Sequence, residues 1–289
     1  MKSENEKIQL KQWNFAKLQR FQHQNDAASI RLGMKTWDND LLRGTIYDER
    51  TLPGDYLGLY ASQYDAVEVH DTFRDPPTPY DTDRLKRKVE KVNPNFRFCP
   101  VVPRIISHET NLSTETKHLT NFLYALEGFD LHLGSCILQL PETFSPTSMP
   151  LLKNFLAQWP LELRLMIDFR HKHWFLQKNA FAELMQKNIG VLITDDIGLE
   201  KRFERFVTGD NLGVRFIGRS KLESDDQRLA LWVYRMNEFG AMGIKDSYLF
   251  LYEQPEMCLG LLQKVANSIG GITKVPLGYD TSSDQLSLF

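Results

Sequence analysis

The sequence predicts an α/β protein built as a single TIM-like (β/α)8 barrel. Short β-rich apolar runs recur eight times along the chain, and stretches with helical spacing separate them. The runs are apolar nearly throughout, as strands covered on both faces by helices must be. Eight such units over about 240 residues suit a closed barrel. A doubly wound open sheet uses the same local units and is the rival architecture, but neither a GxGxxG nor a P-loop follows any run.

In chain order the runs are residues 30–37 (IRLGMKTW), 66–70 (AVEVH), 96–103 (FRFCPVVP), 135–141 (SCILQLP), 163–170 (LRLMIDFR), 190–196 (GVLITDD), 212–218 (LGVRFIG) and 247–253 (SYLFLYE). β-branched and aromatic residues, which suit a pleated buried surface, recur in them. Helical spacing predicts helices over 81–92, 113–129, 148–159, 179–188 and 225–241, with a last one over 255–269 completing the eighth unit. The barrel therefore occupies 30–269. Residues 1–29 form an N-terminal helical extension, in which Trp13, Leu18 and Phe21 suggest a short helix over the barrel's bottom. Residues 270–289 form a flexible tail, because YDTSSDQ has too little apolar surface to offset the entropy of ordering it.

Composition narrows the function. With 42% apolar and 25% charged residues the chain can bury one large core, and a net charge of -2 supplies no global field for nucleic acid or anionic membrane. The charged, Gln-rich start lacks the apolar core of a secretory signal, and no stretch nears the roughly 20 apolar residues of a membrane helix. A cytoplasmic protein is expected. Cys99, Cys136 and Cys258 are odd in number and far apart, and read as reduced core residues rather than zinc ligands.

A barrel places its chemistry at the C-terminal ends of its strands. Glu68 and His70 stand two apart on one strand and so share a face, and Asp168 and Arg170 repeat that spacing on the fifth. If these pairs point inward, Glu68, His70, Asp168 and His171 supply acid and base, while Arg170, Arg215 and Arg219 clamp a negatively charged substrate. The same charges could instead neutralise one another in a buried network that closes the mouth. Trp37 and Trp174 at strand exits could wall a base or sugar, or plug the barrel. Glu68, His70, Asp168, His171 and Asp195 or Asp196 carry donors suited to a divalent metal, zinc, manganese or magnesium, although no HxH or HExxH spacing is present. Ser107 beside His108 reads as a helix cap rather than a catalytic dyad, and RLKRKVEK (84–91) as a solvated helix face.

The segments GMKTW, EVHDTF, PNFRF, LQLPETF, IDFRHKHWF, ITDD and VRFIGR occur in an order that resembles domain-of-unknown-function family 72, the YecE-like proteins. The resemblance runs from about Ile30 to Glu253 and implies a TIM-like barrel with no established reaction. It places the family's acidic, Arg and His positions on Glu68, Asp168, Arg170, His171, Arg215 and Arg219. This chain departs from the pattern at His70, where the family usually has Asn, and at Ile217, where it usually has His. Such changes imply a shifted substrate or a barrel that keeps only its scaffold.

The last five residues, Gln285, Leu286, Ser287, Leu288 and Phe289, resemble the bacterial sliding-clamp binding pentapeptide. Gln285 would hydrogen-bond at a pocket entrance while Leu286, Leu288 and Phe289 fill an apolar groove. The expectation is thus a hydrolase or lyase acting on a phosphate-bearing or nucleic-acid substrate and recruited to the DNA sliding clamp. The alternative is a non-catalytic clamp-associated scaffold.

Overall fold

The structure is a computed structural model that describes residues 29–113, 117–176, 178–196, 207–218 and 222–252. It contains one eight-stranded sheet, every pairing parallel, in the order β3-β2-β1-β8-β7-β6-β5-β4. The strands are β1 (Ser29–Met34), β2 (Ala66–Val69), β3 (Arg97–Pro100), β4 (Cys136–Gln139), β5 (Leu165–Asp168), β6 (Gly190–Asp195), β7 (Asn211–Ile217) and β8 (Asp246–Tyr252). All eight fall on the runs expected from sequence. The ring closes between β3 and β4 through two isolated parallel bridges, Phe98 with Leu133 and Val101 with Ile137. Gly134 sits at this seam because a Cβ there would lie 2.8 Å from Cys99 Sγ and 3.1 Å from Phe98 O.

Helices surround the ring: α1 (Tyr56–Ala61), α2 (Pro79–Val89), α3 (His118–Leu126), α4 (Met149–Gln158), α5 (Lys178–Gln186) and α6 (Leu222–Ala241). Thr78 caps α2 reciprocally with Asp81, satisfying two backbone donors at that helix start. The outward strand residues, among them Leu32, Val67, Leu138, Ile167, Ile193, Val214 and Leu249, form the large core against the helices. None of the helices among the described residues is long and apolar enough to cross a membrane. The N-terminal extension, the final helix and the tail lie outside the described residues.

The lumen side follows from a period of two. Ala66, Cys99, Ile137, Met166, Leu192 and Tyr248 form a separate apolar cluster in the middle of the barrel. Gly213 belongs to the same level, since its Cβ would strike Leu192 and Met166. Two residues further along, Glu68, Gln139, Asp168, Thr194 and Arg215 follow on β2, β4, β5, β6 and β7, while Val101 and Phe250 follow the β3 and β8 members and stay in the apolar cluster. Two residues earlier stand Arg97, Ser135, Arg164, Asn211 and Asp246. A dry middle layer thus separates a polar mouth from a polar floor.

At the floor, Arg31 Nε donates to Asp246 Oδ1 at 3.2 Å and its Nη1 to Asn95 O at 2.9 Å. Arg164 bridges Asp246 and Asp210, the latter at 3.1 Å. Arg31 on β1 and Asp246 on β8 sit on neighbouring strands, whereas Arg164, just before β5, reaches across the lumen to Asp246 on β8 and to Asp210, just before β7.

Candidate functional site

At the mouth the charges meet across the lumen. Arg215 forks onto Glu68, Nε to Oε2 at 2.9 Å and Nη2 to Oε1 at 2.8 Å, and its Nη1 reaches Asp168 Oδ2 at 2.5 Å and Gln139 Oε1 at 3.5 Å. Its carriers β7, β2 and β5 are not neighbours in the sheet. Glu68, Arg215 and Asp168 are 0%, 2% and 3% exposed. Burial alone would raise the Glu68 pKa, but the Arg215 charge and the His70 hydrogen bond outweigh it and hold the carboxyl at about 2. The Arg215 guanidinium also lies over the Tyr252 ring, 5.8 Å from its centroid.

Outside this buried trio lies a second tier. His70 Nδ1 is 3.2 Å from Glu68 Oε1, with its side chain 23% exposed, and Arg170 Nε donates to Asp168 Oδ2 at 3.3 Å, 42% exposed. An ionised carboxylate only accepts, so His70 carries its hydrogen on Nδ1 and presents the Nε2 lone pair. His70 opens a short helical turn over His70–Phe73, pinned by Thr72, whose hydroxyl lies 2.7 Å from both Val69 O and Val101 O. Both outer groups therefore hang on carboxylates already fixed by Arg215.

The other residues expected at the rim divide. Trp174 is fully buried, its Nε1 donating to Phe144 O at 2.6 Å, and so plugs the space between β5 and the helices rather than walling a substrate. Trp37 is partly buried and packs edge-on against Phe98 at 6.4 Å. His171 accepts the His173 backbone N–H at 3.3 Å and stacks edge-on with that ring; among the described residues its hydrogen bonds do not reach Glu68 or Asp168. Asp195 accepts from Trp232 Nε1 at 2.7 Å and pairs with Arg228, fastening β6 to α6 on the outer face. Its odd place in the period of two turns it from the lumen. Among the described residues, no group of three or more His, Cys, Asp or Glu side chains is placed to hold a metal ion. Arg219 and Glu253 lie outside the described residues.

Sequence reasoning passed over Tyr252, having ended the last strand one residue later. Its hydroxyl is buried near Glu68, and burial, then the Glu68 charge, raise its pKa well above the ordinary phenol value. The signal was present: Tyr248, Phe250 and Tyr252 alternate on one face of β8. Lys35, with Nζ 5.7 Å from the Tyr252 centroid, was missed for the same reason.

A family model described as "Protein of unknown function DUF72" matches residues 31–268. The chain belongs to the DUF72 family. DUF72 relatives include the UPF0759 protein YecE of Escherichia coli O157:H7 and of strain K12, each 26% identical over 250 residues, covering 76% of this chain and 90% of the relative. Solved structures of DUF72 family proteins from Thermotoga maritima and Enterococcus faecalis superpose with a TM-score of 0.66 each. Their identities are 19% and 17%, they cover 81% and 84% of this chain, and 97% and 98% of their own lengths are matched, which shows the shared barrel fold.

Proposed function

We propose that this DUF72 barrel is a cytoplasmic enzyme, a hydrolase or lyase whose mouth acts on a phosphate-bearing substrate. The observation that carries the reading is the Arg215–Glu68–His70 series, in which a buried guanidinium fixes a buried carboxylate and the carboxylate orients a partly exposed imidazole. His70 Nε2 serves as the general acid–base, Glu68 holds its tautomer and stabilises the imidazolium, and Arg170 offers a guanidinium to the anionic group. Asp168 positions Arg170 and balances Arg215. His70→Asn should remove turnover found by screening phosphodiesters and sugar phosphates, with a loss of roughly 10²–10⁴-fold and an almost unchanged melting temperature. If no ester is turned over by the wild-type chain, the barrel is a scaffold.

A second reading concerns recruitment. The C-terminal QLSLF supports docking on the bacterial DNA sliding clamp through Gln285, Leu286, Leu288 and Phe289. Deleting 285–289 should abolish co-purification with the clamp and leave the barrel folded; retained binding would exclude this peptide as the anchor.

A further inference from the structure

A second imidazole stands at the same mouth, built by a different piece of backbone. Directly after β3 the chain forms a single π-helical turn over Ile105–Glu109, a geometry that concentrates at functional sites. The turn is closed by Thr110, whose hydroxyl donates to Ile105 O at 2.9 Å, and by Leu112 N to Ile106 O at 2.9 Å. Asn111 and Leu112 then take φ values of +52° and +62°. A leucine in that left-handed region is costly and persists because its side chain is 1% exposed in the core. The strain fixes what the turn carries, which is His108.

Ser107 Oγ lies 2.8 Å from His108 Nδ1 and 3.4 Å from Pro103 O. In the tautomer with hydrogen on Nδ1, the Ser107 oxygen accepts it, the hydroxyl hydrogen turns to Pro103 O, and His108 presents its Nε2 lone pair; a base acting through Nε2 requires this tautomer. Ser107 is fully buried and cannot attack a substrate; it is a positioning residue. Both imidazoles pack on one ring, His70 at 5.7 Å and His108 at 5.1 Å from the Phe73 centroid. The charged groups facing His108 are Arg104, Arg170 and Glu109. Arg104 is 59% exposed and holds only a loose 3.8 Å contact with Glu109, so its guanidinium remains available to an anion. Burial first, then Arg104 and Arg170, lower the His108 pKa and so favour the neutral ring.

We infer that His108 is the second acid–base residue of this mouth, and that the substrate is a phosphodiester whose phosphoryl oxygens are bound by Arg104 and Arg170. The inference rests on the His70 reading above. His108 takes the proton from an attacking water as its oxygen bonds to phosphorus. The bond to the leaving oxygen breaks with its electron pair, and His70, which enters the step as the imidazolium beside the Glu68 charge, delivers its Nε2 proton to that alkoxide. One water is consumed, and proton exchange with solvent resets the two rings. A diester needs both partners because its nucleophile must be deprotonated and its alkoxide protonated within one displacement.

The test uses the full chain with nitrogen-15-labelled histidine and inorganic phosphate as the probe. Phosphate should raise the His108 titration midpoint by about one unit, equivalent to tenfold tighter phosphate binding to the imidazolium form. Arg104→Ala should remove that shift. An unmoved midpoint in phosphate, or the same shift in Arg104→Ala, overturns the site. His108→Asn keeps a nitrogen for Ser107 and deletes Nε2, and its fold is checked by the same spectra. With bis(4-nitrophenyl) phosphate it should lose the acidic limb of the pH–rate profile, because the base works only when unprotonated. A full rate with both limbs in His108→Asn, alongside an inactive His70→Asn, sinks this inference and leaves the His70 reading standing. An active His70→Asn sinks both.

Discussion

The barrel's two ends both bury opposite charges, yet they are wired differently. At the floor, Arg31, Arg164, Asp246 and Asp210 finish on one another or on a backbone carbonyl. At the mouth, Arg215 spans strands that do not touch, and the two carboxylates it holds each pass a hydrogen bond outward to a more exposed group, His70 or Arg170. A buried ion network is therefore not in itself a mark of function. What distinguishes the mouth is its outer tier: groups held in place from within and left open toward solvent.

The comparison can be broken most sharply at Arg215. Arg215→Met leaves Glu68 and Asp168 buried without their cation and should cost about 4 kcal/mol in urea unfolding. Asp246→Asn at the floor should cost less, about 2 kcal/mol, because Arg31 keeps the Asn95 carbonyl and Arg164 keeps Asp210. Equal losses would erase the distinction drawn between the ends.

Acid separates Glu68 at the mouth from Asp65 near the floor, which shift in opposite directions, while the floor's Asp246, buried but paired with arginines, is lowered as Glu68 is. Glu68 falls from 4.5 to about 2 on folding, so its contribution is complete above pH 4.5 and is lost as pH drops toward 2. That amounts to on the order of 3 kcal/mol and should be flattened in Glu68→Gln, which is itself less stable at neutral pH. Asp65, just before β2 at the floor, rises from 3.8 to about 6 because burial outweighs Arg31 and its Asn93 hydrogen bond. Its folded form binds the proton more tightly, so it favours the fold below pH 3.8 and that benefit disappears as pH rises through 6. Asp65→Asn should add about 1 kcal/mol at pH 7 and nothing at pH 3. The smallest effect belongs to deletion of 285–289, which should change stability by less than about 0.5 kcal/mol while removing clamp binding.

Much of the mouth could be read from the chain, because spacing of two on a strand is a local property. Glu68 meets His70 and Asp168 meets Arg170 as the spacing predicts, although His70 and Arg170 lie just past the ends of β2 and β5, and Arg215 joins the two carboxylates. What spacing could not supply was partnership across the lumen: nothing local says that Arg215 takes Glu68 rather than a substrate. Of the two readings for Trp174, the wall and the plug, the structure takes the plug: strand exit and barrel mouth are the same position in sequence, and its indole turns inward to Phe144. The floor went unread because attention to C-terminal strand ends excludes Arg31, Arg97 and Arg164. His108 was hidden by its turn, since a π-helical geometry has no residue signature and Ser-His adjacency reads equally as a cap.

The seam between β3 and β4 gives the ring a hem. Elsewhere the strands are sewn by continuous ladders, but here two bridges fasten the edge. Amide exchange across Gly134 and Val102 should therefore outpace that of the β7–β8 ladder. Arg215 reaches from β7 to Glu68 on one side of that hem and to Asp168 on the other. It acts as a clasp across this seam, so that the same guanidinium that orients the mouth's acid–base groups also sets how far the two half-shells beside it can drift apart.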